Sequence, residues 1–288
     1  MSLQLRANAK INLGLRIVGR RTDGYHLIHT LFQEIDFGDE ITINTSSDSL
    51  ITMDVTGPLA NRVPAGADNL CLQAARLLQE TSASTHGAHL TLHKLVPPGT
   101  GLGGGSSDAA TVLKGLNDLW QLGLTAAELE ILAVRLGADV PFSIRGGLQL
   151  GEGIGEQLAA VGTNLLFTVL LVLPSFGVDT AWAYGQFAEV REFPEPPQFD
   201  RLITQEPIPW SAFTNDFEEV AFPRHPELAD IKQRLLDAGA VYAGLSGSGS
   251  AVYGIFEETP VIAKPQDVFP SCRMITTVFI VNSSSLMA

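Results

Sequence analysis

A glycine-rich stretch in the middle of the chain sets the narrowest limit on its fold and chemistry. Five of the seven residues from Gly99 to Gly105 are glycine, so backbone N–H groups can turn toward one point without obstruction by Cβ atoms. A strand-like pattern ends just before it at Pro97-Pro98, and apolar residues at helical spacing begin after Asp108. A helix N-terminus favours anions. The stretch therefore predicts a polyphosphate site, and a flexible loop is the simpler alternative.

Two better-known phosphate loops do not fit this stretch. A P-loop ends in Gly-Lys-Ser/Thr, and no lysine occurs between Val96 and Ala110. The spacing of Gly99, Gly101 and Gly104 matches the dinucleotide fingerprint. That fold, however, needs a second parallel strand ending in an acid about 20 residues further on. Residues 116–132 instead have the pattern of a helix, a turn and a second helix.

Composition excludes several classes of function. The chain has 288 residues and a formal net charge of −13, which argues against nucleic acid or an anionic membrane as the main partner. Its two cysteines, Cys71 and Cys272, form no metal or disulfide pattern, which favours a reducing compartment. No apolar run approaches the roughly 18 residues of a membrane span, and a strand pattern begins almost at the N-terminus. We expect a cytoplasmic protein.

The order of predicted elements favours the α+β class. Apolar residues at every odd position from 3 to 17 predict a long half-buried strand. Residues 193–209 are rich in proline and acid and predict a long surface connection. Further predictions are a helix over 69–79 capped by Asp68, a helix over 125–136 with a Thr125–Glu128 capping box, a helix near 226–238, a second glycine-serine loop over 246–250, and strands near 252–256 and 275–281.

Several short segments together resemble one family. Pro-x-Gly-x-Gly-Leu-Gly followed by Ser106-Ser107 is similar to the second motif of the GHMP kinases. Other segments resemble the same family in the same order: Ala9-Lys10-Ile11-Asn12-Leu13, Arg21-Thr22-Asp23-Gly24-Tyr25-His26, Asp68-Asn69-Leu70, Gly137-Ala138-Asp139-Val140-Pro141-Phe142, Thr214-Asn215-Asp216 and Leu245-Ser246-Gly247-Ser248-Gly249. Residues 193–209 and the proline-containing stretch 257–270 depart from the family pattern.

The resemblance implies a fold, an activity and a nucleotide site. It implies a two-domain GHMP kinase fold, with an N-terminal ATP-binding domain of left-handed βαβ type over 1–155 and a ferredoxin-like α+β substrate-binding domain over 156–288. ATP is then the phosphoryl donor, with Mg²⁺ held mainly by phosphates and water and Ser107 as a candidate ligand. The implied ATP-binding residues are Asn69, Lys94, Pro97, Pro98, Gly99, Thr100, Gly101, Leu102, Gly103, Gly104, Gly105, Ser106 and Ser107.

Two charged residues are the implied catalytic pair. Lys10 lies on the polar face of the first predicted strand, where a solvated lysine is the ordinary alternative. Asp139 is placed at a helix-to-strand junction, where a helix-ending turn aspartate is the ordinary alternative. In the resembled family an aspartate accepts or orients the substrate hydroxyl proton, and a lysine keeps it ionised and offsets charge on the phosphate.

The acceptor site is implied by a second group of residues. The triple glycine at 103–105 with Tyr25-His26 indicates a member that acts on a small cytidyl diphosphate substrate, in which aromatic rings stack on the base. Without the resemblance, Tyr25 and His26 are ordinary half-buried or loop residues. The implied substrate-binding residues are Asn12, Tyr25, His26, Thr180 and Tyr184.

Two other functions remain open at this point. One is a GHMP enzyme with a different substrate, such as homoserine kinase or diphosphomevalonate decarboxylase. The other is a non-catalytic nucleotide-binding module on the same fold, although such a protein would be expected to lack Lys10 or Asp139. We expect a monomer or a weak homodimer.

Overall fold

The computed structural model describes residues 1–163, 165–188, 192–193, 195–261 and 265–280. These form two compact units, each discontinuous in sequence. The first contains residues 1–9, 37–98 and 103–146, and the second contains residues 10–36, 99–102 and 147–288. Helices and strands are mixed in both units, which confirms the α+β class. The domain bounds of 1–155 and 156–288 stay a prediction.

Two long strands open the chain and contribute residues to both units. They are β1 (Ser2–Arg20) and β2 (His26–Ser46), which pair with each other. The odd-numbered apolar residues of β1 are buried from Ala7 to Ile17, which confirms the strand predicted from the two-residue period. Between the strands, Gly24 donates its N–H to the Arg21 carbonyl at 3.0 Å and forms a tight turn.

The first unit is a sheet covered by helices. Strand β4 (Gly87–His93) pairs antiparallel with the end of β2 and parallel with β3 (Ile51–Thr56). Helix α1 (Leu70–Ser82) connects β3 to β4, so these three elements form a βαβ unit. The handedness of this crossover stays a prediction. The remaining helices are α2 (Gly104–Leu119), α3 (Ala126–Ala133) and α4 (Val140–Arg145).

The helix starts in this unit differ from the prediction in two places. Helix α1 is capped by Asn69, whose Oδ1 accepts the Cys71 N–H at 2.9 Å, so the prediction of Asp68 as the cap is wrong. Both residue types make good caps, and only the backbone geometry selects between them. Helix α2 begins at Gly104, four residues before Asp108. Its first turn is therefore made of the last loop residues, which carry no apolar pattern.

The next pair of helices confirms one prediction and corrects another. The Thr125 hydroxyl accepts the Glu128 N–H, and Glu128 bonds back to the Thr125 N–H, which confirms the predicted capping box. Helix α3 ends at Ala133 instead of residue 136. Asp139 is the N-cap position of helix α4 and lies between two helices. The predicted helix-to-strand junction is wrong there, because Pro141 occupies the first turn of a helix, a position that proline tolerates.

The second unit contains an antiparallel four-stranded sheet in the order β10-β7-β9-β8. Its strands are β7 (Thr168–Leu173), β8 (Tyr242–Leu245), β9 (Val252–Phe256) and β10 (Arg273–Val278). Helix α8 (Pro226–Asp237), which was predicted, packs its buried residues with this sheet. A separate set of antiparallel pairs joins β2 to β5 (Leu148–Glu152) and β5 to β6 (Gln157–Ala160). Short helices complete the unit: α5 (Thr180–Gly185), α6 (Phe199–Leu202), α7 (Glu218–Arg224) and α9 (Pro265–Val268).

The proline-rich segment over 193–209 is more than a surface connection. Phe199 begins α6 and is fully buried. Its ring stacks with Phe213 and His29 at centroid distances of 5.4 Å, and it fills the space where a Cβ on Gly14 would lie. Most described residues of the segment do lie at the surface, and composition does not show the anchor because it is a single aromatic residue. Pro194 of this segment, residues 262–264 of the irregular stretch and Val281 of the last predicted strand lie outside the described residues.

No helix in the part of the chain that the structure describes combines the length and the apolar character needed to cross a membrane.

The assignment of Asn69 as the cap of α1 can be tested by substitution. Asn69→Ala removes the bond to the Cys71 N–H and a second bond from Asn69 Nδ2 to the Pro64 carbonyl at 2.7 Å. We expect the free energy of unfolding to fall by about 1–2 kcal/mol in chemical denaturation. The matched variant Asp68→Ala, at an exposed neighbour, should change it by less than about 0.5 kcal/mol. The reverse order would contradict the assignment of the cap.

Candidate active site

The glycine-rich loop runs directly into the first turn of helix α2. Gly103 is the N-cap residue with φ +69°, a left-handed conformation that favours glycine. Having no side chain, Gly103 leaves the first N–H groups of α2 without a side-chain cap. A Cβ on Gly104 would meet the Val96 side chain at 2.9 Å. The predicted phosphate loop therefore has the exposed helix N-terminus that anion binding needs.

A buried cluster of charges lies at the base of this loop in the first unit. Lys94 Nζ donates to Asp39 Oδ2 at 2.5 Å and to Asp108 Oδ2 at 2.6 Å. All three side chains are almost fully buried. Burial opposes the charge on Lys94, but the two carboxylates outweigh it and raise the pKa of the ammonium group. For Asp108, burial raises the pKa to about 8. The neighbouring Asp39 adds to this increase, and Lys94 opposes it.

A cavity of about 160 Å³ lies beside the loop in the same unit. Its lining is mainly apolar and includes Val63, Leu70 and Val96, together with the predicted ATP-binding residues Asn69, Lys94, Pro97, Pro98, Gly104 and Gly105. The structure thus brings these predicted residues together around one space. An apolar slot next to a helix N-terminus suits a flat base whose phosphates lie on the loop.

The first half of the loop is held within the second unit by a second glycine-serine loop. Gly101 has φ +77°, and a Cβ there would lie 1.8 Å from the Ser246 carbonyl oxygen. Ser246 Oγ donates to the Gly101 carbonyl at 2.9 Å, and the Ala251 N–H donates to the Thr100 carbonyl at 3.1 Å. Leu102 accepts the Lys10 N–H through its carbonyl at 3.0 Å. These contacts fix the backbone of residues 100–102.

The second glycine-serine loop is itself fixed by one buried amide. Asn215 Nδ2 donates to the carbonyls of Leu245 and Gly247 at 2.8 Å each, and its Oδ1 accepts the Phe217 N–H at 3.0 Å. Asn215 is 3 % exposed, so these bonds are shielded from water. Removal of this amide would leave two buried carbonyls of the loop unpaired.

The side chain of Lys10 is positioned by a chain of buried hydrogen bonds in the second unit. Lys10 Nζ donates to Asn12 Oδ1 at 2.8 Å, Asn12 Nδ2 donates to Thr30 Oγ1 at 2.8 Å, and Thr30 Oγ1 donates to the Gly14 carbonyl at 2.6 Å. The Lys10 ammonium also lies over the Phe32 ring, 5.2 Å from its centroid. Lys10 is 5 % exposed, so it is not the solvated strand lysine of the simpler alternative.

Two of the predicted base-binding residues contact each other. The rings of His26 and Tyr184 stack with a centroid distance of 5.4 Å. Burial lowers the pKa of His26, which favours the neutral imidazole, and its Nε2 is buried with no hydrogen-bond partner among the described residues. Tyr25 is 61 % exposed. The Thr180 hydroxyl lies 3.0 Å from the Ser248 hydroxyl.

The last feature of the site is the set of side chains that could hold a metal ion. No group of three His, Cys, Asp or Glu side chains placed to hold a metal occurs among them. The Ser107 hydroxyl, which was predicted as a metal ligand, is buried on α2. Asp139 is half-buried at the start of α4, and within the described chain its side chain does not cap that helix.

Family models identify the class of protein to which this fold belongs. The family model of the GHMP kinases N terminal domain matches residues 69–147, and the model described as GHMP kinases C terminal matches residues 198–267. The chain belongs to the GHMP kinases. The two-domain GHMP kinase fold predicted from the motifs is thereby confirmed.

Similar proteins within this family carry a more specific name. The 4-diphosphocytidyl-2-C-methyl-D-erythritol kinase of Chlorobium phaeobacteroides (strain DSM 266 / SMG 266 / 2430) is 45 % identical over 88 % of this chain and 87 % of its own. The enzyme of the same name from Chlorobium chlorochromatii (strain CaD3) is 45 % identical, with 88 % of each chain covered.

Solved structures agree with these relatives. A crystal structure of 4-(cytidine 5'-diphospho)-2C-methyl-D-erythritol kinase superposes with a TM-score of 0.82 and 31 % identity, covering 97 % of this chain and 100 % of that chain. A homoserine kinase from Cytophaga hutchinsonii, with a TM-score of 0.63 and 18 % identity over 98 % and 95 % of the two chains, shares the fold alone.

Some residues of the site were not found from the sequence. Asp39, Asp108, Thr30 and Asn215 were assigned no role, although each makes buried hydrogen bonds around the loops or Lys10. Asn215 lies in a segment that resembles the family, and that resemblance was the available signal. The sequence around Asp39 carries no such signal, because its partner Lys94 is 55 positions away.

The close approach at Gly101 can be tested with a matched pair of variants. Gly99 and Gly101 both have positive φ, but a Cβ on Gly99 would meet only Gly177 Cα at 3.9 Å. Both alanine variants should lose about 1–2 kcal/mol of unfolding free energy from backbone strain. Gly101→Ala should lose about 1–3 kcal/mol more, because the Ser246 carbonyl must move. Equal losses in chemical denaturation would contradict this contact.

Proposed function

We propose that the chain transfers the γ-phosphoryl group of ATP to the 2-hydroxyl of 4-diphosphocytidyl-2-C-methyl-D-erythritol, in the non-mevalonate route to isoprenoid precursors. The observation that carries the proposal is the 45 % identity over 88 % of the chain to enzymes of this name. The stacked pair His26–Tyr184 supports the choice of acceptor, because a nucleobase is held by aromatic faces and by hydrogen bonds to its edge.

The nucleotide site is proposed to use both parts of the loop. The N–H groups of Gly104, Gly105 and Ser106 bind the phosphates, and the adjacent apolar cavity takes the adenine ring. Asn69 keeps the cavity wall in place through its bonds to Pro64 and Cys71. Bound Mg²⁺ would offset charge on the β- and γ-phosphates. Lys94 as a direct phosphate ligand stays a prediction.

Two charged residues are proposed to assist the transfer itself. Lys10, held by Asn12, presents a cation that stabilises charge on the transferring phosphoryl group. Asp139 orients the acceptor hydroxyl and accepts its proton as the new P–O bond forms and the bond to ADP breaks. The buried Asn12–Thr30 bonds fix the direction of the lysine, which matters because phosphoryl transfer depends chiefly on alignment.

The acceptor side is proposed to recognise cytosine. Tyr25, which is 61 % exposed, covers the base from one face, and the Tyr184 ring lies on the other. His26 Nε2 hydrogen-bonds an edge of the base, since burial without a partner would otherwise cost free energy. Thr180 contributes a hydroxyl from the start of α5. The protein is proposed to act in the cytoplasm as a monomer or weak homodimer, without nucleic acid.

Release of ADP from ATP with a panel of acceptors tests the proposed reaction. The panel contains the cytidyl substrate, homoserine, mevalonate and diphosphomevalonate, each with Mg²⁺ present. We expect ADP release with the cytidyl substrate alone. Faster release with any of the other three acceptors would reject the proposal and select another enzyme of the family, and no release with any would favour a binding module.

The catalytic pair is tested by two single variants and their combination. Asp139→Asn keeps the shape but removes the charge, so kcat should fall by about 10²–10⁴-fold while ATP still binds. Lys10→Met should lower kcat at least as much. The double variant should be little worse than either single one, because both residues serve the same step. Near-native kcat in Asp139→Asn, with folding verified by circular dichroism, would contradict the assignment.

The base site is tested by Tyr25→Ala. Loss of one stacking face should raise KM for the cytidyl substrate by about tenfold or more, while KM for ATP stays nearly the same. The control Ile131→Ala removes another highly exposed apolar side chain, on α3 in the first unit, and should change neither KM. An equal rise of both KM values in Tyr25→Ala would place Tyr25 outside the acceptor site.

A further inference from the structure

A second cavity, of about 410 Å³, lies in the second unit and contains none of the residues assigned to ATP, to the acceptor or to catalysis. Three segments line it: residues 174–176 after β7, one face of helix α8, and residues 268–272, which connect α9 to β10. Small-molecule sites commonly have volumes of about 300–1,000 Å³. This cavity, the α8 cavity, therefore has room for a small ligand.

The α8 cavity combines buried apolar side chains with exposed charged ones. Ile231 and Phe269 are buried in its lining, and Phe176 is half-buried. Three exposed charged residues of α8 also line it: Glu227, Asp230 and Arg234. The lining residues of α8 are three or four positions apart, which places them on one face of the helix. An amphipathic ligand, with an apolar part and a charged end, suits such a lining.

The charged groups of the lining favour a cation. Arg234 Nη1 donates to the Val268 carbonyl at 2.7 Å, so part of its guanidinium group is already engaged. The carboxylates of Glu227 and Asp230 form no ion pair or hydrogen bond with any described residue. Two carboxylates and one guanidinium group leave one excess negative charge. A ligand with a positive charge is therefore attracted, and an anion is repelled.

The wall of the α8 cavity is joined to the glycine-rich loop within the second unit. Ser250 Oγ, from the second glycine-serine loop, donates to the Phe176 carbonyl. Two positions further on, the Val178 N–H donates to the Gly99 carbonyl at 3.2 Å. Between them, a Cβ on Gly177 would lie 2.9 Å from the Gly99 carbonyl oxygen. A ligand that packs on Phe176 therefore also restrains the backbone that contacts Gly99.

We propose that the α8 cavity is a regulatory site for a small organic amine that carries an apolar group. The apolar group packs against Phe176, Ile231 and Phe269, and the ammonium group pairs with the two carboxylates of α8. The bound amine restricts residues 176–178 in advance, so ATP loses less conformational freedom when it binds to the loop. Binding of the amine goes beyond the proposed function, and its effect on ATP rests on the nucleotide part of that function alone.

NMR titration of the protein without ATP, using three probes of similar size, tests the preference for a cation. The probes are phenethylamine, phenethyl alcohol and phenylacetate, at about pH 7, where the amine is charged. We expect phenethylamine to shift the amide signals of Ile231 and Phe269 with a Kd of about 1 mM. It should bind about tenfold more tightly than phenylacetate, with the alcohol between them. No saturable shift below about 10 mM amine, or tighter binding of either other probe, would overturn the proposal.

Variants of α8 test the two carboxylates directly. Glu227→Gln and Asp230→Asn should each weaken phenethylamine binding by about threefold, and together by about tenfold, while the affinity for phenethyl alcohol changes by less than about twofold. The control Asp237→Asn makes the same substitution at an exposed position of α8 outside the cavity and should bind the amine like the wild type. Unchanged amine affinity in the double variant, or an equal loss in the control, would overturn the assignment.

Calorimetry with ATP, with and without saturating phenethylamine, tests the regulatory role. We expect the amine to lower the Kd for ATP by about fivefold, and ATP to lower the Kd for the amine by the same factor, because coupling between two sites is reciprocal. Hydrogen exchange of the Val178 amide, which bonds to the Gly99 carbonyl, should slow when the amine alone binds.

The matched control is the double variant Glu227→Gln/Asp230→Asn, in which the same amine concentration should change ATP affinity less than in the wild type. Failure of ADP release with the cytidyl acceptor would reject the proposed reaction without affecting these results, because neither experiment contains an acceptor. Equal ATP affinity with and without the amine in the wild-type protein would overturn the regulatory site.

Discussion

The backbone of the glycine-rich loop lies so close to the second glycine-serine loop that no side chain fits between them at Gly101. This contact gives residues 100–102 one conformation, and the Leu102 carbonyl then bonds to the N–H of Lys10 on β1. The conformation of residues 100–102 therefore fixes both the loop and the backbone of Lys10, the residue proposed to act on the phosphate. Asn215 supports the arrangement from behind through two carbonyls of the second loop.

The two parts of the glycine-rich loop are stabilised by different kinds of interaction. In the second unit the loop is held by backbone contacts and neutral hydrogen bonds from Ser246 and Ala251. In the first unit its ends are held by the ion pairs of Lys94 with Asp39 and Asp108. The neutral contacts act through the loop backbone, whereas the ion pairs join side chains on either side of the loop.

Much of the fold could be predicted because its signals are local. The alternation in β1, the capping box at Thr125 and the glycine spacing each lie within a few residues of sequence, and the structure has all three. The family could be recognised because several short motifs occur together in order. The catalytic assignment of Lys10 and Asp139 depended on that resemblance, because either residue alone has an ordinary structural explanation.

The parts that could not be predicted depend on contacts distant in sequence. Phe199 packs against rings that are far away in sequence, and Asp39 bonds to Lys94, which is 55 positions away. Neither contact produces a pattern within a short stretch of sequence.

Phosphorus NMR of the product made from ATP and the cytidyl substrate tests the central claim most directly. We predict ADP and one new phosphate monoester on the methylerythritol, with the cytidyl diphosphate intact. Release of inorganic phosphate without that monoester, or cleavage of the cytidyl diphosphate, would contradict it.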